Sequence, residues 1–257
     1  MQSRYWFWML LSAPVIEPGK ETSDGPPDLR RFYVPVSEFK VLDTWHVAAM
    51  RATGSHDVEL DGVFVPDYRQ IKVSDLREGM APGMALNTDP IWHVPLLTFM
   101  IFGAVGPMLG AAEAMFELVS DVLAKKTGAY TGAKLQQQMS TRIRLASNKM
   151  QLDATRGLFD EKIRVVDDAV TAGDKLTPDQ RAEMRFAVAH IAKTSHALVN
   201  DLAQAAGSRA YFLDSPIQRF QRDVNSLATH AIFDYDSLGN LYGGVLMGQD
   251  VPPGSMI

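Results

Sequence analysis

Cysteine is entirely absent from this chain. That absence excludes disulfides, thiolate metal sites and cysteine nucleophiles together, and it fits a reducing cytoplasm. Basic charge is also short: 25 Lys and Arg stand against 30 Asp and Glu, for a net charge of −5. Without a basic field to gather phosphates, a general nucleic-acid role is excluded. The six histidines form no His-Glu-x-x-His pair, and His190 and His196, six apart, fall on different faces of a helix, so no metal site is expected. No Gly-x-Ser-x-Gly elbow and no P-loop occur, which removes serine hydrolases and nucleotidases. No stretch reads as the roughly 20 apolar residues of a membrane span, so no membrane association is expected. Arg4 and the apolar run to Ala13 imitate a signal peptide, but the run is short, aromatic-heavy and lacks a small-x-small cleavage site.

What remains is an ordinary globular composition, 46% hydrophobic and 21% charged, in 257 residues. Residues 5–13 read as a buried strand, residues 17–28 as a Pro- and Gly-rich loop, and Arg31–Val36 as a second strand. Trp45–Met50 and the alternating His56–Val65 predict two more, giving part of a small antiparallel sheet or barrel. Residues 67–95 read as mostly loop. Long helical patterns follow over 96–125, 132–172 (closed by Gly173), 177–206 and 215–248. Thr177-Pro178 and Ser215-Pro216 supply N-caps with proline at the first helical position. Gly103, Gly106 and Gly110 permit close helix contact; they follow no strand and form no dinucleotide fingerprint. The expected class is α+β, mainly α: a partial antiparallel β domain with loop at 1–90, then a C-terminal four-helix bundle at 91–257.

The pattern over 215–248 carries two stripes at roughly 100° per residue. Ile217, Phe220, Val224, Leu227 and Ala231 form an apolar one. Arg219, Arg222, Asp223, Ser226 and His230 form a polar one, either a solvated face or the wall of an anion-binding cleft.

Two blocks of sequence resemble one family. Gly207-Ser-Arg-Ala-Tyr211, Ser215-Pro-Ile-Gln-Arg219 and Arg222-Asp-Val224, with a histidine eight residues after Arg222, form the first. Asp43-Thr-Trp-His-Val-Ala-Ala-Met-Arg-Ala-Thr-Gly-Ser-His-Asp-Val58, running on to Val63-Phe-Val-Pro66, forms the second. Together they resemble the oxygenase component of two-component flavin-dependent monooxygenases built on the acyl-CoA dehydrogenase fold. This group includes hydroxylases of p-hydroxyphenylacetate and of secosteroid phenols, and dibenzothiophene monooxygenase. The resemblance runs over nearly the whole chain from about Trp8.

The resemblance implies hydroxylation of a small aromatic or polycyclic substrate through a C4a-hydroperoxyflavin. Reduced FMN or FAD would come from a separate flavin reductase, and the enzyme would be a cytoplasmic homotetramer. His230 matches a histidine facing the flavin C4a position. Gln204, Gly207, Ser208 and Arg209 match a stretch approaching the flavin of a neighbouring subunit. Arg51 and Ser55 then border the cofactor, with Thr53 between them, while Trp45 and His93 border the substrate. Each residue also has a plainer role: helix capping for 204–209, a hydroxyl-stabilised turn for Thr53-Gly-Ser55, a surface position for His230.

Two other functions stay open. Acyl-CoA dehydrogenases share the fold but carry a catalytic glutamate, as Glu-Gly-Thr, about nine residues beyond the arginine, where this chain reads Thr229-His230-Ala231. The family also begins with a helical domain and the first half of the β domain. Their absence here leaves room for a non-catalytic remnant that only oligomerises.

Overall fold

In a computed structural model, the structure describes residues 8–16, 28–128, 132–252, 254, 255 and 257. Two compact units divide the chain, Met1–Leu97 and Thr98–Ile257.

In the first unit, β1 (Trp8–Val15) pairs antiparallel with β2 (Asp28–Pro35), Trp8 opposite Pro35 and Val15 opposite Asp28. Lys40–Val41 (β3) and Val58–Glu59 (β4) form a separate two-stranded ribbon. β5 (Gln70–Lys72) completes the larger sheet in the order β1-β2-β5, followed by the short helix α1 (Val73–Arg77). The expected first strand begins outside the described residues, and from Trp8 on it is not buried: Trp8 and Leu10 stay exposed. Among the described residues it pairs only with β2, and its faces are poorly covered: Trp8, Leu10, Ser12 and Pro14 on one are exposed, Met9, Leu11 and Val15 on the other half-buried. Val34 of β2, by contrast, is fully buried. The expected loop at 17–27 lies outside the described residues.

Two expectations for this unit fail for local reasons. Trp45–Met50 is irregular, because the Met50 carbonyl accepts from the Thr53 N–H, the Thr53 hydroxyl and the Trp45 indole N–H. Met50 itself takes a left-handed conformation at φ 53° that no strand contains. The strand expected over 56–65 shrinks to β4, since Gly62 turns the chain at φ 59°. Residues 67–95 are mostly loop, as expected, and the exceptions, β5 and α1, are too short to leave a periodic signal.

The second unit holds the bundle. It consists of α2 (Leu96–Lys125), α3 (Met139–Thr171), α4 (Pro178–Ala206) and a fourth, interrupted element, α5 (Pro216–Leu227) and α6 (Tyr235–Leu246). α4 is central, packed by α3, α5 and α6, and buries Ala182, Met184, Val188, Ile191, Leu198, Val199 and Leu202. Its start is a reciprocal cap: Thr177 Oγ1 accepts from the Gln180 N–H at 3.2 Å, and Gln180 Oε1 accepts from the Thr177 N–H at 2.9 Å. α3 begins at Met139 rather than 132. Leu135–Gln137 make a 3-10 turn first, and 129–131 lie outside the described residues.

α2 corrects another expectation. It is long and apolar enough to cross a membrane, with a mean hydropathy of 1.5 over an 18-residue window. Here it packs as a core helix: Val105, Met108, Leu109, Ala112, Met115 and Val119 are fully buried along one side. Glu113 on the same helix forms a two-pronged ion pair with Arg156 of α3, at 2.7 and 2.6 Å, and Phe102 meets Phe159 edge-on.

The expected helix at 215–248 is broken. α5 stops at Leu227, Ala231–Phe233 form a 3-10 turn, and Asp234 caps α6 by accepting from the Ser237 N–H and hydroxyl. Ile217 and Val224 of the apolar stripe are buried, Phe220 and Leu227 half-buried, while Ala231 beyond the break is exposed.

Candidate functional site

The α4 C-terminus is the first of three local groups. Gly207 ends the helix at φ 78°, ψ −169°, a conformation that is essentially glycine's alone. Sequence logic expects a left-handed cap there; the observed ψ rules that geometry out. Lys126 helps satisfy the helix end instead. Its ammonium donates to the Ala206 carbonyl at 2.8 Å, countering the negative end of the helix dipole. A Cβ on residue 207 would come 2.8 Å from Lys126 Nζ. Past the glycine, Ser208–Tyr211 form a 3-10 turn anchored by buried Ala210, which leaves Ser208 and Arg209 exposed; Gln204 is exposed on the last turn of α4. A hydroxyl, a guanidinium and an ammonium around a residue without a side chain are suited to an anionic group approaching the backbone. The donor set therefore fits a phosphate-bearing cofactor.

The second group is the break after α5. His230 does not share a helical face with Arg222 and Ser226, because the helix ends before it. Its exposed ring is held by its own turn: the Ile232 N–H donates to Nδ1 at 3.0 Å. A backbone amide can only donate, so Nδ1 is the acceptor, and in the neutral ring Nε2 carries the proton. The Phe233 N–H donates to the His230 carbonyl at 2.9 Å, and the buried Phe233 ring lies edge-on, 6.5 Å from the imidazole. From α4, Arg185 Nη1 donates to the Ile232 carbonyl at 3.2 Å.

The third group belongs to the first unit. Trp45, Arg51 and Ser55 lie on one loop, Trp45 half-buried and the others exposed. The Trp45 indole N–H is spent on the Met50 carbonyl at 3.1 Å, so only its ring face and edge remain for a ligand. The Ser55 hydroxyl donates to Thr53 Oγ1 at 3.3 Å. His56 Nδ1 accepts from the N–H groups of Thr44 and Trp45, closing the loop on itself. His93 stands apart from this loop, exposed in a turn over Pro90–His93 capped by Asp89. An open cavity of about 790 Å³ in the same unit is lined by Glu38, Lys40, Glu59, Asp61 and Phe64, among others, and by none of the residues named for the site.

Lys126 and Arg185 escaped the sequence reading. Lys126 gives no signal in sequence, since its partner is 80 residues away. Arg185 does give one: an arginine in a helical run whose neighbours Ala182, Met184, Ala187, Val188 and Ala189 are core residues.

Residues 102–235, just over half of the chain, match the model for the acyl-CoA dehydrogenase, C-terminal domain. The chain belongs to this family. Among acyl-CoA dehydrogenase-like proteins it is similar to the pigment production hydroxylase of a Rhodococcus species, 31% identical over 240 residues that cover 92% of this chain and 59% of that protein. It is 30% identical over 223 residues to the oxygenase component of p-hydroxyphenylacetate 3-hydroxylase from Acinetobacter baumannii, covering 86% of this chain and 52% of that protein. Among solved structures it is similar to the 3-HSA hydroxylase of Rhodococcus sp. RHA1, with a TM-score of 0.87, 25% identity and coverage of 96% and 62% of the two chains. XiaF from a Streptomyces species, solved with FADH2 and glycerol, gives a TM-score of 0.85 at 27% identity, covering 97% and 62%. The chain thus spans less than two thirds of the length of these relatives.

Proposed function

We propose that this acyl-CoA dehydrogenase-like chain carries part of a cytoplasmic, reduced-flavin-dependent monooxygenase that hydroxylates a small aromatic substrate and takes its reduced FMN or FAD from a separate reductase. The observation that carries the reading is the similarity along 92% of the chain to the pigment production hydroxylase. The site chemistry favours it too. A dehydrogenase needs a carboxylate base, and the carboxylate nearest the slot, Asp234, has both oxygens engaged by Ser237. Those hydrogen bonds, the hydroxyl's first, hold it below the usual carboxylate range, which makes it a weaker base still.

In this reading Gln204, Gly207, Ser208 and Arg209, with Lys126, hold the anionic part of the flavin of a neighbouring subunit, and Arg51 and Ser55, in the first unit, border a flavin. Trp45 offers a ring face to an aromatic substrate, and His93, on a separate turn, is the second residue assigned to the substrate. When bound, reduced flavin supplies the electrons that activate dioxygen for insertion of one oxygen atom. His230 contributes an Nε2 proton donor at a fixed orientation. The bundle assembles copies of the chain, as a homotetramer, through apolar residues left exposed on α3 and after α4.

Anaerobic calorimetry of reduced FMN and reduced FAD, followed by admission of oxygen and a phenol, tests the reading. Saturable binding of one reduced flavin and a hydroxylated product support it. His230→Ala is expected to keep the binding but lower product per reduced flavin roughly ten- to hundredfold, the weight of one hydrogen bond of about 1–3 kcal/mol. Reduction of bound oxidised flavin by an acyl-CoA thioester, with no phenol turnover, would replace it with the dehydrogenase reading.

A further inference from the structure

Arg185 is out of place by composition. It is 5% exposed, early in α4 and among core residues, and burial alone pushes its guanidinium below its ordinary value. A buried cation persists where hydrogen bonds hold it, and Arg185 Nη1 donates to the Ile232 carbonyl, 47 residues further on. Ile232 is also the residue whose N–H fixes His230 Nδ1. The two bonds act in series, so that α4 grips residue 232 and residue 232 grips the ring. The turn has a second anchor in Phe233, 6% exposed, and on its far side Asp234 starts α6. A helix interrupted between Leu227 and Tyr235 gains nothing in regular hydrogen bonding from the break. What the break does provide is one exposed imidazole with its tautomer set from the core.

We propose that Arg185 is a positioning residue for His230: by holding the Ile232 carbonyl it keeps the 230–233 turn closed, so that Nδ1 remains an acceptor and Nε2 carries the proton available to a ligand. This rests on the reading of His230 as a proton donor. A merely structural arginine would stabilise the bundle without governing the ring, and that difference can be measured.

The experiment uses the full chain with ¹⁵N-labelled histidine and no flavin, at about pH 8, above the ordinary histidine value of about 6.5. The His230 signals are assigned by their loss in His230→Gln. The unsubstituted chain is expected to show one protonated and one unprotonated ring nitrogen, Nε2 and Nδ1 respectively. In Arg185→Met, which keeps an apolar stem and removes the donor, that separation is expected to collapse toward averaged signals as the two tautomers exchange. A folded Arg185→Met with the unsubstituted pattern overturns the proposal. Should that variant fail to fold, Arg185→Gln, whose shorter amide ends before the carbonyl, is read in the same way and decides it equally. If the tautomer shifts while His230→Ala leaves product per reduced flavin unchanged, positioning stands and the functional reading of His230 falls. If the tautomer is unmoved, positioning falls whatever His230→Ala does.

Discussion

Gly207 is where sequence and structure disagree most usefully at the scale of one residue. Its identity and its place at the end of α4 are legible in the pattern, but its ψ of −169° is not. Any L side chain at that conformation is strained, and its Cβ would also press on Lys126 Nζ. Gly207→Ala is therefore expected to destabilise the bundle by about 1–3 kcal/mol, read as a lower urea midpoint at unchanged slope. Lys126→Ala should weaken the same helix end with no backbone strain. If Gly207→Ala melts with the parent, the strain is absent. The site residues named from sequence were legible as types and as motif positions. Their hydrogen bonds were not, because Trp45, Ser55 and His230 all spend polar atoms on neighbours within five residues, in turns that no periodicity encodes. Lys126 was missed for the opposite reason: its partner is remote in sequence.

Elements were legible in proportion to their length and to the strength of their end signals. Thr177-Pro178 with Gln180 fixed the start of α4, and the apolar run of α2 fixed both of its ends. The break between α5 and α6 stayed hidden because the apolar stripe continues through it to Ala231, while the signal that ends one helix and starts the next is a single aspartate. That aspartate makes the break testable. Hydrogen bonds from the Ser237 hydroxyl and N–H hold the folded Asp234 carboxyl below its usual value. A depressed folded value means the contribution is present above the unfolded value of about 3.9 and is lost as pH falls through the folded one. Asp234→Ala is expected to lower the urea midpoint by a constant amount near neutrality. Its curve should meet the parent's as the pH is taken down through the acid range. A gap that stays open at acid pH would mean that the cap acts through its shape rather than its charge.

For the whole molecule, what decides is the surface left apolar. On α3, Met139, Ile143 and Met150 are 75%, 58% and 63% exposed. At 100° per residue they fall within about 40° of arc, one stripe along one face. Tyr211, Phe212 and Leu213, just past the α4 corner, are exposed as well. A soluble monomer rarely leaves such patches uncovered, and a second copy of the chain offers the same stripe in return. Burying one aliphatic side chain contributes about 1.5–3 kcal/mol, and in a two-fold interface each substitution acts twice. Ile143→Glu is thus expected to weaken self-association by at least about a hundredfold, since each 1.4 kcal/mol is tenfold. Light scattering across a concentration series reads this as mass falling toward 28.4 kDa in the variant while the parent holds a multiple of it. The matching change at Leu213, Leu213→Glu, tells the two patches apart. A parent that is monomeric at tens of micromolar, or an Ile143→Glu variant that assembles like the parent, removes the α3 stripe as the interface.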